Sequence, residues 1–171
     1  RLKHELPPEI DGQVDGKLVA DIELMNKWRN WRTGLSFADS ENQCTLIGAL
    51  DDCLKTEGGH FIPVDYKTRG FALKEDSAGF YQNQLDSYAL LLEKNKLPPT
   101  DYAYLIYFIP KKLAGDSLVE FSIQVKKMPT NPESALKIFR KAVDLLNSSE
   151  PAAAANCQFC ALRGDKIINL D

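Results

Sequence analysis

The sequence predicts an α/β fold, a mixed β-sheet flanked by α-helices. Three stretches carry that expectation. "DYAYLIYFIP", residues 101 to 110, is almost continuously apolar and aromatic, as a central strand covered on both faces must be. "NPESALKIFRKAVDLLN", 131 to 147, repeats apolar residues at helical spacing behind an asparagine and a proline. "CTLIGALDDCL" and "HFIPVDYK", 44 to 54 and 60 to 67, are apolar runs joined by the glycine-bearing "KTEGG", the pattern of an antiparallel hairpin.

The elements follow in order. Residues 1 to 11 have no apolar periodicity. Residues 17 to 32, "KLVADIELMNKWRNWR", place Leu18, Ile22, Met25 and Trp28 at helical spacing, with Gly34 as the stop. The hairpin comes next. Pro63 lacks a ladder donor, which predicts an edge position or a bulge. Residues 68 to 79 are polar and glycine-bearing, hence a loop. Residues 80 to 96 form a helix whose inner stripe is Leu85, Tyr88, Ala89 and Leu92, ended by "LPPT". After the central strand, 119 to 125 alternates. Val119, Phe121, Ile123 and Val125 face inward and Glu120, Ser122 and Gln124 outward, as in a half-exposed strand. In the last helix Asn131 caps, Pro132 takes the first position, and Leu136, Phe139, Val143 and Leu146 form the stripe. "SSEPAAAA", 148 to 155, reads as a linker. One domain over 1 to 150, followed by a linker and tail over 151 to 171, is the expected organisation.

Composition bounds the function. A chain of 171 residues, 44% hydrophobic and 26% charged, buries a real core and is not disordered. A net charge of -3 gives no global attraction to nucleic acid, but 21 Lys and Arg leave room for a local basic patch. No apolar stretch is long enough to cross a bilayer, and no secretory signal is visible. Cys44 and Cys53 lie in a strand-like run. Cys157 and Cys160 form a C-x-x-C. This is not a secreted disulfide framework, so a reducing, cytoplasmic setting is expected. The chain opens at Arg1 with an unpatterned stretch, which predicts that a further N-terminal segment precedes it.

The charged residues of the hairpin pose the functional question. Strand alternation puts Phe61, Pro63, Asp65 and Lys67 on one face. In the preceding run Ile47, Ala49, Asp51 and Cys53 share a face, and Asp52 points to the other. Paired as a hairpin, the two runs bring Asp51 and Asp65 together beside Lys67. Two neighbouring carboxylates repel, and a hard cation is the usual remedy; carboxylate oxygens, water and a backbone carbonyl suit Mg²⁺ or Mn²⁺. Lys67 could then hold or activate a water there. The competing reading is a surface hairpin with solvated charges. Further on, Gln84 precedes Tyr88 by one helical turn, on one face.

G-x-x-D at Gly48 to Asp51, V-D-Y-K-T at Val64 to Thr68, and Q-x-x-x-Y at Gln84 to Tyr88 occur in that order. The string resembles the PD-(D/E)xK nuclease superfamily, in particular its RecB-like and CRISPR-associated exonuclease branch. The resemblance implies a restriction-endonuclease-like core and a metal-dependent nuclease. Such an enzyme hydrolyses phosphodiester bonds of DNA, as an exonuclease on single-stranded ends in one form, in repair, recombination or defence. Residue by residue, it implies that Asp51, Asp65 and the Tyr66 carbonyl hold Mg²⁺ or Mn²⁺. Lys67 would orient or deprotonate the attacking water. Gln84 and Tyr88 would line the site, and Thr68 its rim. The branch usually adds an upstream His or Glu; His4, Glu5, Glu9 and Glu23 are present here without a motif. Its iron–sulfur members use one early and three late cysteines. Cys157 and Cys160 would therefore ligate a cluster or Zn²⁺ only with thiolates from a preceding segment.

Three other functions stay open in the sequence. They are an RNA nuclease, a non-catalytic nucleic-acid-binding or assembly module of the same fold, and a zinc or redox module centred on the C-x-x-C. Lys55, Arg69 and Lys74, with Phe71, Phe80 and Tyr81, are candidate contacts to a single strand. His60 is a surface histidine at the strand start.

Overall fold

The computed structural model describes residues 5–74, 76–115, 118–150, 152, 156, 157 and 159. In chain order the elements are β1 (Lys17–Leu18), α1 (Ile22–Arg29), β2 (Leu35–Asp39), β3 (Cys44–Gly48), β4 (Asp52–Lys55), β5 (Phe61–Thr68), α2 (Gln82–Lys94), β6 (Tyr102–Gly115), β7 (Leu118–Pro129) and α3 (Pro132–Leu146). Five strands make the main sheet in the order β1-β4-β5-β6-β7, and β2 and β3 form a separate ribbon. Among the described strands only β5 and β6 pair in parallel, and α2 is the crossover that joins them. The fold is thus the expected mixed α/β sheet flanked by helices, consistent with a restriction-endonuclease-like core.

Alternation along β5 and β6 divides the core in two. Leu105, Tyr107 and Phe61 face α1, α2 and the ribbon, packing with Met25, Trp28, Leu85 and Leu92. Ile62, Val64, Tyr104 and Ile106 face the other way, onto Ile10 and the partly buried Leu6 and Val14 of the N-terminal segment. Asp15 clasps that segment to the sheet. Its Oδ2 accepts from Lys127 Nζ at 2.9 Å, Tyr102 OH at 2.9 Å and Tyr104 OH at 2.8 Å. Lys127 and then the two hydroxyls hold its carboxyl at about 2.

Four expectations need correction. Residues 17 to 32 are not one helix. Lys17–Leu18 pairs with β4, and Val19 N–H donates to the Cys53 carbonyl. Asp21 takes the Leu24 N–H at 2.9 Å and starts α1 only at Ile22, which is exposed and not on the inner stripe. Residues 44 to 54 are not one strand either. The chain leaves β3 at Gly48, Leu50 N–H bonds to the Trp28 carbonyl at 3.0 Å, and β4 begins at Asp52. β3 pairs with β2, and β4 pairs with β5.

Pro63 is on neither an edge nor a bulge: β5 is the middle strand. The Cys53 carbonyl bonds to Val19, so Cys53 turns its backbone groups toward β1, and Pro63, its register partner, sits at a non-hydrogen-bonded position. The β6 ladder starts one residue later, at Val64. Lastly, Val119, Phe121 and Leu146 are exposed. The hairpin of β6 and β7 extends past the body of the sheet, and α3 buries only Ala135 and Val143.

Arg140 of α3 forks onto Asp39 of β2, with Nε–Oδ2 at 2.9 Å and Nη2–Oδ1 at 3.1 Å. The guanidinium holds the Asp39 carboxyl below its ordinary value. A depressed carboxyl contributes stability above its unfolded value and loses it as pH falls through the folded one. Arg140→Met is therefore expected to lower thermal stability at neutral pH and to flatten the acid limb. Melting curves from about pH 7 down to about pH 2 check this, and parallel acid limbs in both proteins would refute it.

Among the described residues no helix is long and apolar enough to cross a membrane. The expected tail, 151 to 171, lies outside the described residues except for Ala152, Asn156, Cys157 and Phe159. Cys157 is half-buried, and Cys160 lies outside the described residues.

Candidate active site

β4 pairs with β5 only as far as Asp52 opposite Val64, while β5 runs on to Thr68. The last residues of β5 therefore keep β6 on one side and have no β4 partner on the other. Asp51 fills that place. Its Oδ2 accepts the Tyr66 N–H at 3.0 Å, and its backbone carbonyl accepts Arg29 Nε at 2.8 Å. Asp51 is exposed and Asp65 is 1% exposed. The two carboxylates converge as the hairpin predicts, although Asp51 stands just before the strand rather than within it.

Lys67 Nζ lies 2.6 Å from Asp65 Oδ2 and donates to Gln84 Oε1 at 3.1 Å. Gln84 Nε2 donates to Asp65 Oδ1 at 2.9 Å and to Tyr88 OH at 2.6 Å. Tyr88 OH stands 3.5 Å from Asp65 Oδ1. The Tyr81 ring lies under the ammonium, its centroid 4.5 Å from Lys67 Nζ. One turn of α2 thus reaches Asp65 and Lys67 together, which is what the four-residue spacing of Gln84 and Tyr88 provides.

Burial pushes the Asp65 carboxyl up. The Lys67 ammonium opposes this, and the Asp51 charge adds to it. Burial also pushes the Tyr88 hydroxyl up to about 12, so it stays protonated. Asp65 Oδ2 carries no hydrogen bond of good geometry despite the short ion pair with Lys67. A buried carboxylate oxygen balanced by charge alone is chemically suited to a further cation. Asp51, Asp65 and the Tyr66 carbonyl would supply a partial oxygen shell. That fits Mg²⁺ or Mn²⁺, which keep several waters and need few protein ligands. It does not make a closed cage: among the described residues no group of three or more His, Cys, Asp or Glu side chains could hold a metal ion.

Several side chains with no predicted role complete the surroundings. Asp52 is fully buried on the opposite face, as alternation requires. Its Oδ1 takes Arg29 Nη2 at 3.0 Å and its Oδ2 takes the Tyr66 hydroxyl at 3.2 Å. Arg29 therefore braces both residues of the Asp51–Asp52 pair from α1. The sequence signal was an arginine on the polar side of "KWRNWR", which a helical pattern alone cannot assign a partner. Lys55 and His60 stand at the far end of the β4–β5 hairpin, away from the carboxylates. A groove of about 940 Å³ lies at that end, lined by Lys17, Leu18, Lys55 and Phe61 among others, and is remote from Asp65. Glu5, Glu9 and Glu23 are exposed, and His4 lies outside the described residues. Burial pushes the Cys53 thiol up to about 12, the reverse of what a thiolate ligand needs.

A family model of the PD-(D/E)XK nuclease superfamily matches residues 4–164. The chain belongs to that superfamily. The match spans the whole of the sheet, the three helices and Cys157 and Cys160. The superfamily is one of nucleases, which act on nucleic acid and typically use divalent metals. Among solved structures, the chain is similar to one described as the crystal structure of SSO0001, with 15% identity and a TM-score of 0.41. The alignment covers 74% of this chain and 53% of that one, so the chain spans about half the length of that protein. No curated protein matches.

Proposed function

We propose that this PD-(D/E)XK chain is a divalent-metal-dependent nuclease that hydrolyses phosphodiester bonds of DNA, an exonuclease of the RecB-like, CRISPR-associated kind acting on single-stranded ends. Repair, recombination or defence would be its setting. One observation carries the reading. Asp51, Asp65 and Lys67 meet where β4 stops and β5 continues, with a buried carboxylate oxygen left without a well-formed hydrogen bond.

Asp51, Asp65 and the Tyr66 carbonyl would hold Mg²⁺ or Mn²⁺, which when bound polarises the scissile phosphate and acidifies its water. The protein's own part follows from the contacts. Lys67 is a cation fixed by Asp65 and Gln84, so it orients a nucleophilic water and offsets negative charge building on the phosphate. Gln84 holds acid and lysine in register. Tyr88, protonated at neutral pH, accepts from Gln84 and keeps a proton of its own to donate. The π-face of Tyr81 covers one side of the ammonium and leaves it fewer directions in which to swing.

The test is cleavage of labelled single- and double-stranded DNA, and of RNA, with Mg²⁺ and with Mn²⁺, beside Asp65→Ala and Lys67→Ala. Metal-dependent cleavage lost in both variants is the expected result. No cleavage by a protein that binds both Mn²⁺ and DNA would replace this reading with a binding module. Gln84→Ala is expected to slow cleavage about 10- to 100-fold, the usual cost of losing a group that orients a metal ligand. A variant at full rate would leave Gln84 with no part in the site.

A further inference from the structure

Three large aromatic side chains on the segments that flank the carboxylates stand out in solvent. Trp31, Phe71 and Phe80 are 69%, 60% and 79% exposed. The turn at 30–33 follows α1 and runs beside segment 48–51, through the Trp28 carbonyl bonded to Leu50 N–H and Arg29 bonded to the Asp51 carbonyl. Trp31 therefore belongs to the Asp51 side. Phe71 and Phe80 belong to the segment that leaves Lys67 and returns at Gln84. Phe80 is next to Tyr81, whose ring lies under Lys67. Phe71 is four residues beyond Lys67, within about 13 Å along an extended chain.

The exposure is not that of a slack loop. Leu73, Ala78 and Tyr81 pack against the core. Ser77 is buried, its hydroxyl accepting the Lys74 N–H at 3.0 Å, and its own N–H bonds to the Lys74 carbonyl at 3.1 Å. The backbone turns three apolar residues inward and leaves two phenylalanines outward. Two of the exposed rings also carry an arginine: Arg32 Cζ lies 4.5 Å from the Trp31 centroid, and Arg69 Cζ 4.7 Å from that of Phe71. Lys74 adds a third cation and Asp76 a counter-charge, both exposed. The apolar residues exposed on the β6–β7 hairpin differ: Leu113, Leu118 and Val119 are aliphatic, and Phe121 packs edge-on against Phe108.

We infer that Trp31, Phe71 and Phe80 are stacking platforms for the bases of a single nucleic-acid strand. That strand is laid across Asp51, Asp65 and Lys67, with Arg32, Arg69 and Lys74 meeting its phosphates. Rings flanked by cations suit unpaired bases, whose faces are open; a duplex hides those faces. The net charge of -3 supplies no general attraction, so binding depends on this local set. The inference rests on the nuclease reading and names the residues that hold its single-stranded substrate.

Binding of a fluorescent single-stranded oligonucleotide and of a hairpin duplex, followed by anisotropy in EDTA, tests it without cleavage. Trp31→Ala, Phe71→Ala and Phe80→Ala are each expected to weaken single-strand binding about 5- to 100-fold, the range for losing one base stack. Duplex binding should change little, and Phe71→Trp should bind as the parent does. Trp31 is the exposed tryptophan and Trp28 the buried one, so the oligonucleotide should quench emission in the parent and not in Trp31→Phe. Variants that melt as the parent does and bind single strands equally well would overturn the inference, as would equal loss on duplex or a parent that binds no single strand. Asp65→Ala separates the two readings. If its cleavage is lost while the ring variants bind normally, only the track fails. If the ring variants lose binding but the parent never cleaves, only the nuclease fails.

Discussion

Asp65→Asn is expected to abolish cleavage and raise the melting temperature. The loss of rate should be about 10²- to 10⁴-fold, the scale for removing a charged group that acts in the transition state. The gain in stability follows from burial. Asp65 is 1% exposed, and its carboxyl is raised because desolvation outweighs the Lys67 ammonium. A carboxyl raised on folding contributes stability below its unfolded value and loses it as pH climbs through the folded one. At neutral pH the ionised Asp65 is therefore a net burden on the fold. Asparagine is neutral and of the same shape, so the variant should lead the parent at about pH 8 and converge with it toward about pH 4. For a chain of this length each kcal/mol relieved moves the melting temperature by about 2–4 °C. Metal-free melts across that range, beside a cleavage assay, decide it. An asparagine variant less stable at neutral pH would mean that the Lys67 pair is worth more than the burial costs.

Gly34→Ala is the second large effect, and it acts on structure. An added Cβ would stand 2.2 Å from the Gly48 carbonyl oxygen and 3.1 Å from that of Asn30. Both neighbours are backbone, so the β2–β3 ribbon must shift to admit it. The cost is about 1–3 kcal/mol or more, as for overpacking in a close-packed site. The shift also reaches the chemistry, because Gly48 leads through Leu50 to Asp51. Gly48→Ala is the control: its Cβ meets Leu91 Cδ1 at 2.5 Å, the movable end of a flexible side chain. Thermal melts of the two should rank Gly34→Ala as the more damaged, with its cleavage reduced as well. The reverse order, or a Gly34→Ala that melts like the parent, would show that the ribbon is not held at this contact.

Most of the site was legible because it is local. Asp65 and Lys67 lie on one strand and Gln84 and Tyr88 on the next helix, where alternation and helical spacing decide each pair, and the family resemblance brought the two pairs together. The same rules placed α2, β6 and α3, whose apolar patterns are long. What they could not reveal was a break inside an apolar run. Residues 44 to 54 look continuous, yet Leu50 is captured by α1 and the chain changes sheets there. β2 has only five residues, and the turn after it is marked by Asp39, Ser40 and Asn42 rather than by glycine or proline. Arg29 and Tyr81 carried no motif, because their partners are set by packing between distant elements. Pro63 misled for a physical reason: a missing donor matters only where the ladder asks for one.

The place where β4 ends has one more consequence. Sheets ordinarily leave backbone without a strand neighbour along their outer rims, and such rims recruit foreign strands and seed aggregation. Here part of that rim lies in the interior of the sheet, between Asp51 and β6. An intruding chain would have to displace a carboxylate that already occupies the Tyr66 N–H. A strand added there would have to break a bond that the sheet already makes, so the exposed end of β5 is guarded against the edge-to-edge pairing that outer rims invite.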